Sequence, residues 1–343
     1  MLERAREALR GEEAWVVGGA VRDELLGRPM VDLDIACADP EQAARRYARG
    51  AEGAPFPLSE RHGAWRVALS GQRTVDFTPL PKGIEADLAT RDFTINAIAR
   101  PLAGGDPVDP FDGLADLERG VLRAVGPAAF QDDPLRLLRA VRLEDELGFR
   151  LDTDTETLVR ANAGLVTRAA GERILAELVR LSAAGFERLE EVGLLATLGG
   201  SLERLRSLGE TSPELRLVAV FTDGLGRLPV SNELRRYAGV LLRVELPAEL
   251  SPRAIHRFRR ATEPWSIDAA RFAGGDEELR KAIEQARASD PKEPLLRGDE
   301  LGLAPGPAIG EWLERIAEER AAGTISTRED ALELLREGLA SPG

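Results

Sequence analysis

Asp32 and Asp34 flank a single leucine in the run Val31-Asp32-Leu33-Asp34-Ile35. Alternation along a strand puts both carboxylates on one face, with Val31, Leu33 and Ile35 on the other. At a rise of roughly 3.3 Å per residue their Cβ atoms stand about 6 to 7 Å apart, a span that hard divalent cations bridge through oxygen ligands. Mg²⁺ suits such a pair, because it takes a few carboxylates and completes its shell with water and substrate phosphates. A receptor for those phosphates lies just upstream. Ala14-Trp15-Val16-Val17 reads as a buried strand, Gly18-Gly19 as a turn whose backbone can approach a ligand closely, and the stretch from Ala20 to Leu26 as a helix ended by Gly27. Strand, glycine turn and helix N-terminus together make an anion site, and Arg22 adds a guanidinium fork for phosphate oxygens.

Three further groups have spacing that suits a nucleotide. Asp76, with apolar neighbours on either side, is either a third carboxylate of the same pocket or a solvated residue of a half-buried strand. Arg91, Asp92 and Asn96 come near one another at the start of a helical run, because positions four apart share a helix face. They fit a ribose hydroxyl and a phosphate; equally, they fit an N-cap with a nearby ion pair. Asp133 and Arg136 stand three apart where Asp132 and Pro134 mark a helix start. Turned toward a metal pocket, a carboxylate beside a guanidinium accepts cytosine and adenine, each of which shows an amino donor next to a ring-nitrogen acceptor, and refuses uracil, which shows the reverse. Turned toward solvent, the same pair is a capping aspartate with an ion pair.

The elements that must carry these residues follow from pattern. Ala64–Leu69 and Arg73–Thr78 alternate and are joined by Ser70-Gly71-Gln72, a hairpin signal. A turn-rich stretch from Asp109 to Gly120 leads to a short strand at Val121–Val125, and from Pro127 the pattern becomes helical and stays so. Far downstream, Ser251–Arg260 holds a run of arginines and His256 with no acid among them, which is a candidate phosphate-contact surface or a solvated helix face. Leu301–Gly310 reads as two short helices joined by a Pro/Gly turn, a helix-hairpin-helix shape that offers backbone amides to a nucleic-acid phosphate.

Composition bounds the class. The 343 residues are 43% hydrophobic and 31% charged, enough for two or three domains of an ordinary globular protein. Two histidines far apart, His62 and His256, leave no basis for a zinc site, so any metal is held by carboxylates. A net charge of −13 argues against indiscriminate nucleic-acid binding and confines any such partner to local patches. The lone Cys37 has no disulfide partner and reads as a small buried residue. With a charged N-terminal segment and no apolar run of membrane length, the expected location is the cytoplasm.

The order of motifs is informative in itself. Gly18-Gly19-Ala20-Val21-Arg22-Asp23 with Asp32-Leu33-Asp34, then Arg91-Asp92-Phe93-Thr94-Ile95-Asn96-Ala97, then Asp109-Pro110-Phe111-Asp112-Gly113, then Asp132-Asp133-Pro134-Leu135-Arg136, then Gly171–Leu178 closely resembles the class II tRNA nucleotidyltransferases, the CCA-adding enzymes and their poly(A) polymerase relatives. Thr90, where the family often has arginine, and Asp132, where it has glutamate, depart from the pattern. The resemblance implies an α+β fold: a nucleotidyltransferase head with a small mixed sheet over 1–126, then a helical neck (127–185), body (186–265) and tail (266–343). It implies that Asp32 and Asp34 hold catalytic Mg²⁺ and that Gly18, Gly19 and Arg22 bind the triphosphate. Arg91, Asp92 and Asn96 would bind ribose and phosphates, and Asp133 and Arg136 would read the base. Residues 109–116 would be a springy head-to-neck element, and Glu172 and Arg173 would brace the base-reading helix. The implied partners are a tRNA 3′ end, CTP and ATP. Between Asp76 and Asp92, full CCA-adding members carry a longer flexible loop; the short interval here resembles the CC-adding branch. Other readings are a poly(A) polymerase, an antibiotic-modifying small-molecule nucleotidyltransferase, disfavoured by the long helical second half, and a non-catalytic RNA-binding relative, disfavoured by the intact carboxylates.

Overall fold

The structure, a computed structural model, describes residues 1–59 and 62–340. It divides into two compact units, Met1–Gly199 and Gly200–Gly343.

The first unit is built on a six-stranded sheet. Its strands are β1 (Ala14–Val17), β2 (Asp32–Cys37), β3 (Ala54–Ser59), β4 (Ala64–Ala68), β5 (Thr74–Pro79) and β6 (Ala99–Pro101), in the order β3-β4-β5-β2-β1-β6. Every neighbouring pair is antiparallel except β2 and β5. The expected β4–β5 hairpin is present, turning through Gly71 at φ +74°. Strand β3 has no counterpart in the sequence reading, because Pro55 and Pro57 argue against a strand; at a sheet edge, prolines that donate no ladder hydrogen bond are tolerated. One face buries Leu33, Ile35, Val67, Val75 and Phe77. There the helix Pro40–Ala51, capped by Asp39 on Gln42 N, lays Tyr47 against Phe77 with ring centroids 5.8 Å apart. On the opposite face Val17, Ala36 and Ala99 are covered by Ile84 and Leu88 of the helix Ile84–Leu88. Cys37 is buried, and burial pushes its thiol up to about 12, which suits the inert role expected of it.

Helices follow. Arg136–Leu147 packs against Gly171–Leu178 and Ala183–Glu191. The helical pattern is broken once: Arg150–Leu151 forms a short strand that pairs in parallel with Val121–Leu122, a pairing between distant segments that local periodicity does not encode.

The second unit is helical, with the helices Pro213–Phe221, Asn232–Arg243 and Pro252–Thr262 capped by Ser212, Ser231 and Ser251. Two expectations change here. Leu301–Gly310 is not a helix-hairpin-helix, since only the single 3₁₀ turn Gly298–Glu300 precedes the helix Pro307–Ala321. The arginines of Ser251–Arg260 are not an open phosphate surface either. Arg257 pairs with Glu318 at 2.5 Å, Arg260 with Glu314 at 2.7 Å, Arg253 with Glu319, and Arg259 with Glu263 and Asp290. Acids from a helix some sixty positions later neutralise what looks unopposed along the chain. Among the described residues no helix is long and apolar enough to cross a membrane.

Candidate active site

The turn after β1 presses backbone against β2. Gly18 has φ +70°, and a Cβ there would stand 3.2 Å from Asp34 Oδ2 and 3.3 Å from Arg91 Nη1, so glycine serves both conformation and approach. Asp32 and Asp34 share a face, as their spacing predicts. Asp34 lies in register with Asp76 and Asp32 with Thr74, whose hydroxyl donates to Asp32 Oδ1 at 2.7 Å. Burial pushes Asp34 up to about 6; Arg91 opposes this, while Asp76 and Asp32 reinforce it. Asp76 does turn to this side of the sheet, but paired: Arg66 on β4 donates Nε and Nη2 to its two oxygens, both at 2.7 Å.

Next to the carboxylates runs a buried polar network. Asp92 is 6% exposed and accepts from Arg139 Nε at 2.8 Å, Asn96 Nδ2 at 2.9 Å and its neighbour Phe93 N at 2.8 Å. Burial alone would raise its pKa; the Arg139 charge and these donors hold it below the usual carboxylate value. Asn96 Oδ1 accepts from Arg22 Nη1 at 2.8 Å, and Arg22 also binds Asp23. Arg91 is clamped by Asp87 through Nε at 3.0 Å and Nη2 at 2.6 Å. Arg91, Asp92 and Asn96 are thus close but do not form the expected single helix turn, since only the 3₁₀ turn Thr94–Asn96 is helical.

Arg136 N donates to the Asp133 carbonyl at 3.0 Å, but the two side chains do not bond to each other. Asp133 accepts from Leu135 N at the helix start and from Arg173 Nη2 at 2.8 Å, while Arg136 donates to the carbonyls of Ala129 and Thr90. Against the raising effect of burial, Arg173 and the Leu135 amide hold Asp133 low, so its carboxylate stays ionised and acceptor-only. One cavity of about 790 Å³ is lined by Gly18, Gly19, Arg22, Asp32, Asp34, Arg91, Asp92, Asn96, Asp133 and Arg136, the residues expected at the metal, triphosphate, ribose and base; Asp76 is not among its lining residues.

A family model described as the poly A polymerase head domain matches residues 14–81 and 66–123, and one described as a probable RNA and SrmB-binding site of polymerase A matches 148–199. An A-adding tRNA nucleotidyltransferase of Deinococcus radiodurans is 34% identical, the match covering 93% of this chain and 94% of that protein. The chain belongs to the class II tRNA nucleotidyltransferase family. A CC-adding tRNA nucleotidyltransferase of Geobacter sulfurreducens is 33% identical, over 94% of this chain and 91% of its own. The fold matches a solved CCA-adding enzyme in complex with CTP, with TM-score 0.80 and 24% identity over 99% of this chain and 94% of the other.

This nucleotidyltransferase family uses a divalent metal, and the residues present fit one. Asp34 is a carboxylate crowded by two others and lifted in pKa, an electrostatic setting that a bound cation relieves. Among the described residues no three His, Cys, Asp or Glu side chains converge on a metal-sized point, so a cation held by Asp32 and Asp34 would draw its remaining ligands from substrate oxygens and water.

Several residues that line the nucleotidyltransferase cavity were not singled out from sequence. Arg139 anchors Asp92, and Arg142 binds Glu177 Oε2 through Nε at 2.5 Å. The brace from the helix Gly171–Leu178 is therefore Arg173 and the buried Glu177, while Glu172 is exposed. A signal existed: Arg136, Arg139 and Arg142 recur every third position in a leucine-rich helix, a cationic stripe on one side. The stretch 109–116 is held at both ends, with Asp109 capping Gly113 N and Leu114 N and the buried Asp116 accepting from Thr94 Oγ1 at 2.7 Å.

Proposed function

We propose that this enzyme adds cytidylates to the 3′ end of tRNA from CTP, without a template strand, using Mg²⁺ at Asp32 and Asp34 and working in the cytoplasm. ATP is the substrate for any terminal adenylate. The tRNA 3′-hydroxyl attacks the α-phosphate and pyrophosphate leaves; bound Mg²⁺ supplies neutralisation of charge on the attacking and departing oxygens. The Gly18-Gly19 backbone and Arg22 receive the triphosphate. Asp92 and Asn96, rigidified by Arg139 and Arg22, orient the ribose. Asp133 accepts the exocyclic amino group of the base and Arg136 donates to the ring nitrogen, which admits cytosine and adenine and leaves uracil with donor facing donor. Arg173 on Asp133 and the Thr90 and Ala129 carbonyls on Arg136 fix the two heads separately, so their spacing is set by the protein.

A single observation supports stopping after C: the interval between Asp76 and Asp92 is short and held at several points. Strand β5 runs to Pro79, Ile84 and Leu88 are buried in the core, and Asp87 clamps Arg91. Only the exposed turn at residues 81–83 is left between strand and helix, less chain than the longer loop of full CCA-adding members. Supplying each of the four triphosphates separately, and CTP together with ATP, to tRNA that lacks its terminal CCA tests this. Incorporation of C alone is expected; efficient A addition after CC overturns the C-only reading, and long A-tailing of generic RNA would instead mark a poly(A) polymerase.

A further inference from the structure

The sheet face that carries the carboxylates continues past them. Asp34 is in register with Asp76, Asp76 with Arg66, and Arg66 with Phe56 on the edge strand β3. Residues in register project to the same side, so Asp34, Asp76, Arg66 and Phe56 form one row across four strands. With strands about 4.8 Å apart, Phe56 lies roughly 14 Å from Asp34 along the row. At the other end of the sheet this face is covered, since Val17 and Ala99 lie under Ile84 and Leu88. At the β3 end it is bare: Phe56 is 41% exposed, and Leu58, at the register shift that follows it, 43%. Between Phe56 and the carboxylates stands Arg66, bidentate on Asp76 and with its Nη1 free of any partner among the described residues.

We propose that Phe56 and Arg66 form the platform for the single-stranded 3′ end of the RNA acceptor, Phe56 stacking on a terminal base and Arg66 Nη1 meeting a backbone phosphate. This rests on the reading of the chain as an RNA 3′-end nucleotidyltransferase. The direction follows from the displacement itself. In-line attack requires the nucleophile and the leaving group on opposite sides of the phosphorus. The leaving pyrophosphate belongs to the Gly18-Gly19 turn and Arg22, which flank Asp34 on its β1 side. The attacking hydroxyl must then enter from the β5 side, over Asp76, Arg66 and Phe56. An exposed aromatic beside a guanidinium is what sequence-tolerant single-strand binding uses, since every base has a π face and every nucleotide a phosphate. Such a contact also suits an acceptor whose last base changes after each addition. The charge of Arg66 is already met by Asp76, so what Arg66 offers the phosphate is a directed hydrogen bond from Nη1 rather than net positive charge.

The test compares Phe56→Ala, Phe56→Tyr and wild type in C addition to tRNA lacking CCA, together with the fluorescence of a 2-aminopurine placed at the last acceptor position. Phe56 is exposed, so the fold is expected to survive, and an unchanged KM for CTP checks this. Losing one stacked base raises KM for tRNA by about 5- to 150-fold in Phe56→Ala. Phe56→Tyr restores it, and the probe is quenched by wild type and Phe56→Tyr but not by Phe56→Ala. Equal tRNA KM and equal quenching in all three proteins overturn the platform while C addition itself stands. A wild-type protein that extends no tRNA overturns the underlying function instead. A rise in the KM for CTP together with that for tRNA would mean that Phe56 supports the sheet, and would also refute the proposal.

Discussion

Replacing Arg139 with methionine keeps the aliphatic stem and removes the cation that neutralises Asp92. Asp92 is 6% exposed and would be left with two neutral donors, Asn96 Nδ2 and Phe93 N. Breaking a fully buried ion pair costs roughly 3–5 kcal/mol. Because the Arg139 side chain is 32% exposed, water takes up part of the loss. We therefore expect roughly 2–3 kcal/mol. The sign with pH is fixed by direction. Asp92 is held below its ordinary 3.8, so its stabilisation is fully present above that value and is lost only as pH falls through the depressed folded value. Without Arg139 the folded pKa rises, and the loss begins at higher pH. The gap between variant and wild type is therefore widest near neutrality and narrows in acid, where both carboxyls are protonated. Amide hydrogen exchange of the segment 92–97, compared between the two proteins at each pH, reads this locally. The cost corresponds to exchange about 30- to 150-fold faster at neutral pH. Equal exchange at neutral pH, or a gap that does not change with pH, would refute the assignment of Arg139 as the counter-ion of Asp92.

Asp32→Ala or Asp34→Ala is expected to abolish nucleotide incorporation while filter binding of tRNA persists; parallel loss of binding would mean that the pair supports the fold. Since Asp34 is raised to about 6, its proton competes with metal, and Mg²⁺ affinity measured by calorimetry should weaken about tenfold per pH unit below that point. The same shift makes the metal-free protein lose stability as pH rises from 3.8 to about 6, the opposite of a salt-bridged aspartate, and a flat profile would contradict it. Gly18→Ala places a Cβ 3.2 Å from Asp34 Oδ2 at φ +70°. Strain of about 1–3 kcal/mol should lower kcat/KM for CTP by about ten- to a hundredfold with an unchanged circular dichroism spectrum, and full activity would show that the turn tolerates a side chain.

The A-adding and CC-adding relatives match this chain over nearly its whole length at almost equal identity, so overall similarity does not choose between their products. Local length is what the C-only proposal rests on: the segment is short and held by Ile84, Leu88 and the Asp87–Arg91 pair.

Much of the site was legible because it is governed by short-range rules. Period-two alternation put Asp32 and Asp34 on one face, the Gly18-Gly19 turn needed a backbone that few other residues allow, and the β4–β5 hairpin followed from its alternation and its glycine. These depend on a few consecutive residues, whose geometry the chain itself dictates. Partners brought in by folding were not legible. Asp76 could be placed on its strand, but only sheet pairing set Arg66 against it. Glu177, not Glu172, turned out to face inward, because helix phase is set by what the helix packs on. The arginines from 253 to 260 looked free until a helix from 307 to 321 laid its glutamates beside them. Electrostatics acts through space, over a few ångströms, and positions sixty residues apart become neighbours only when the chain between them has folded.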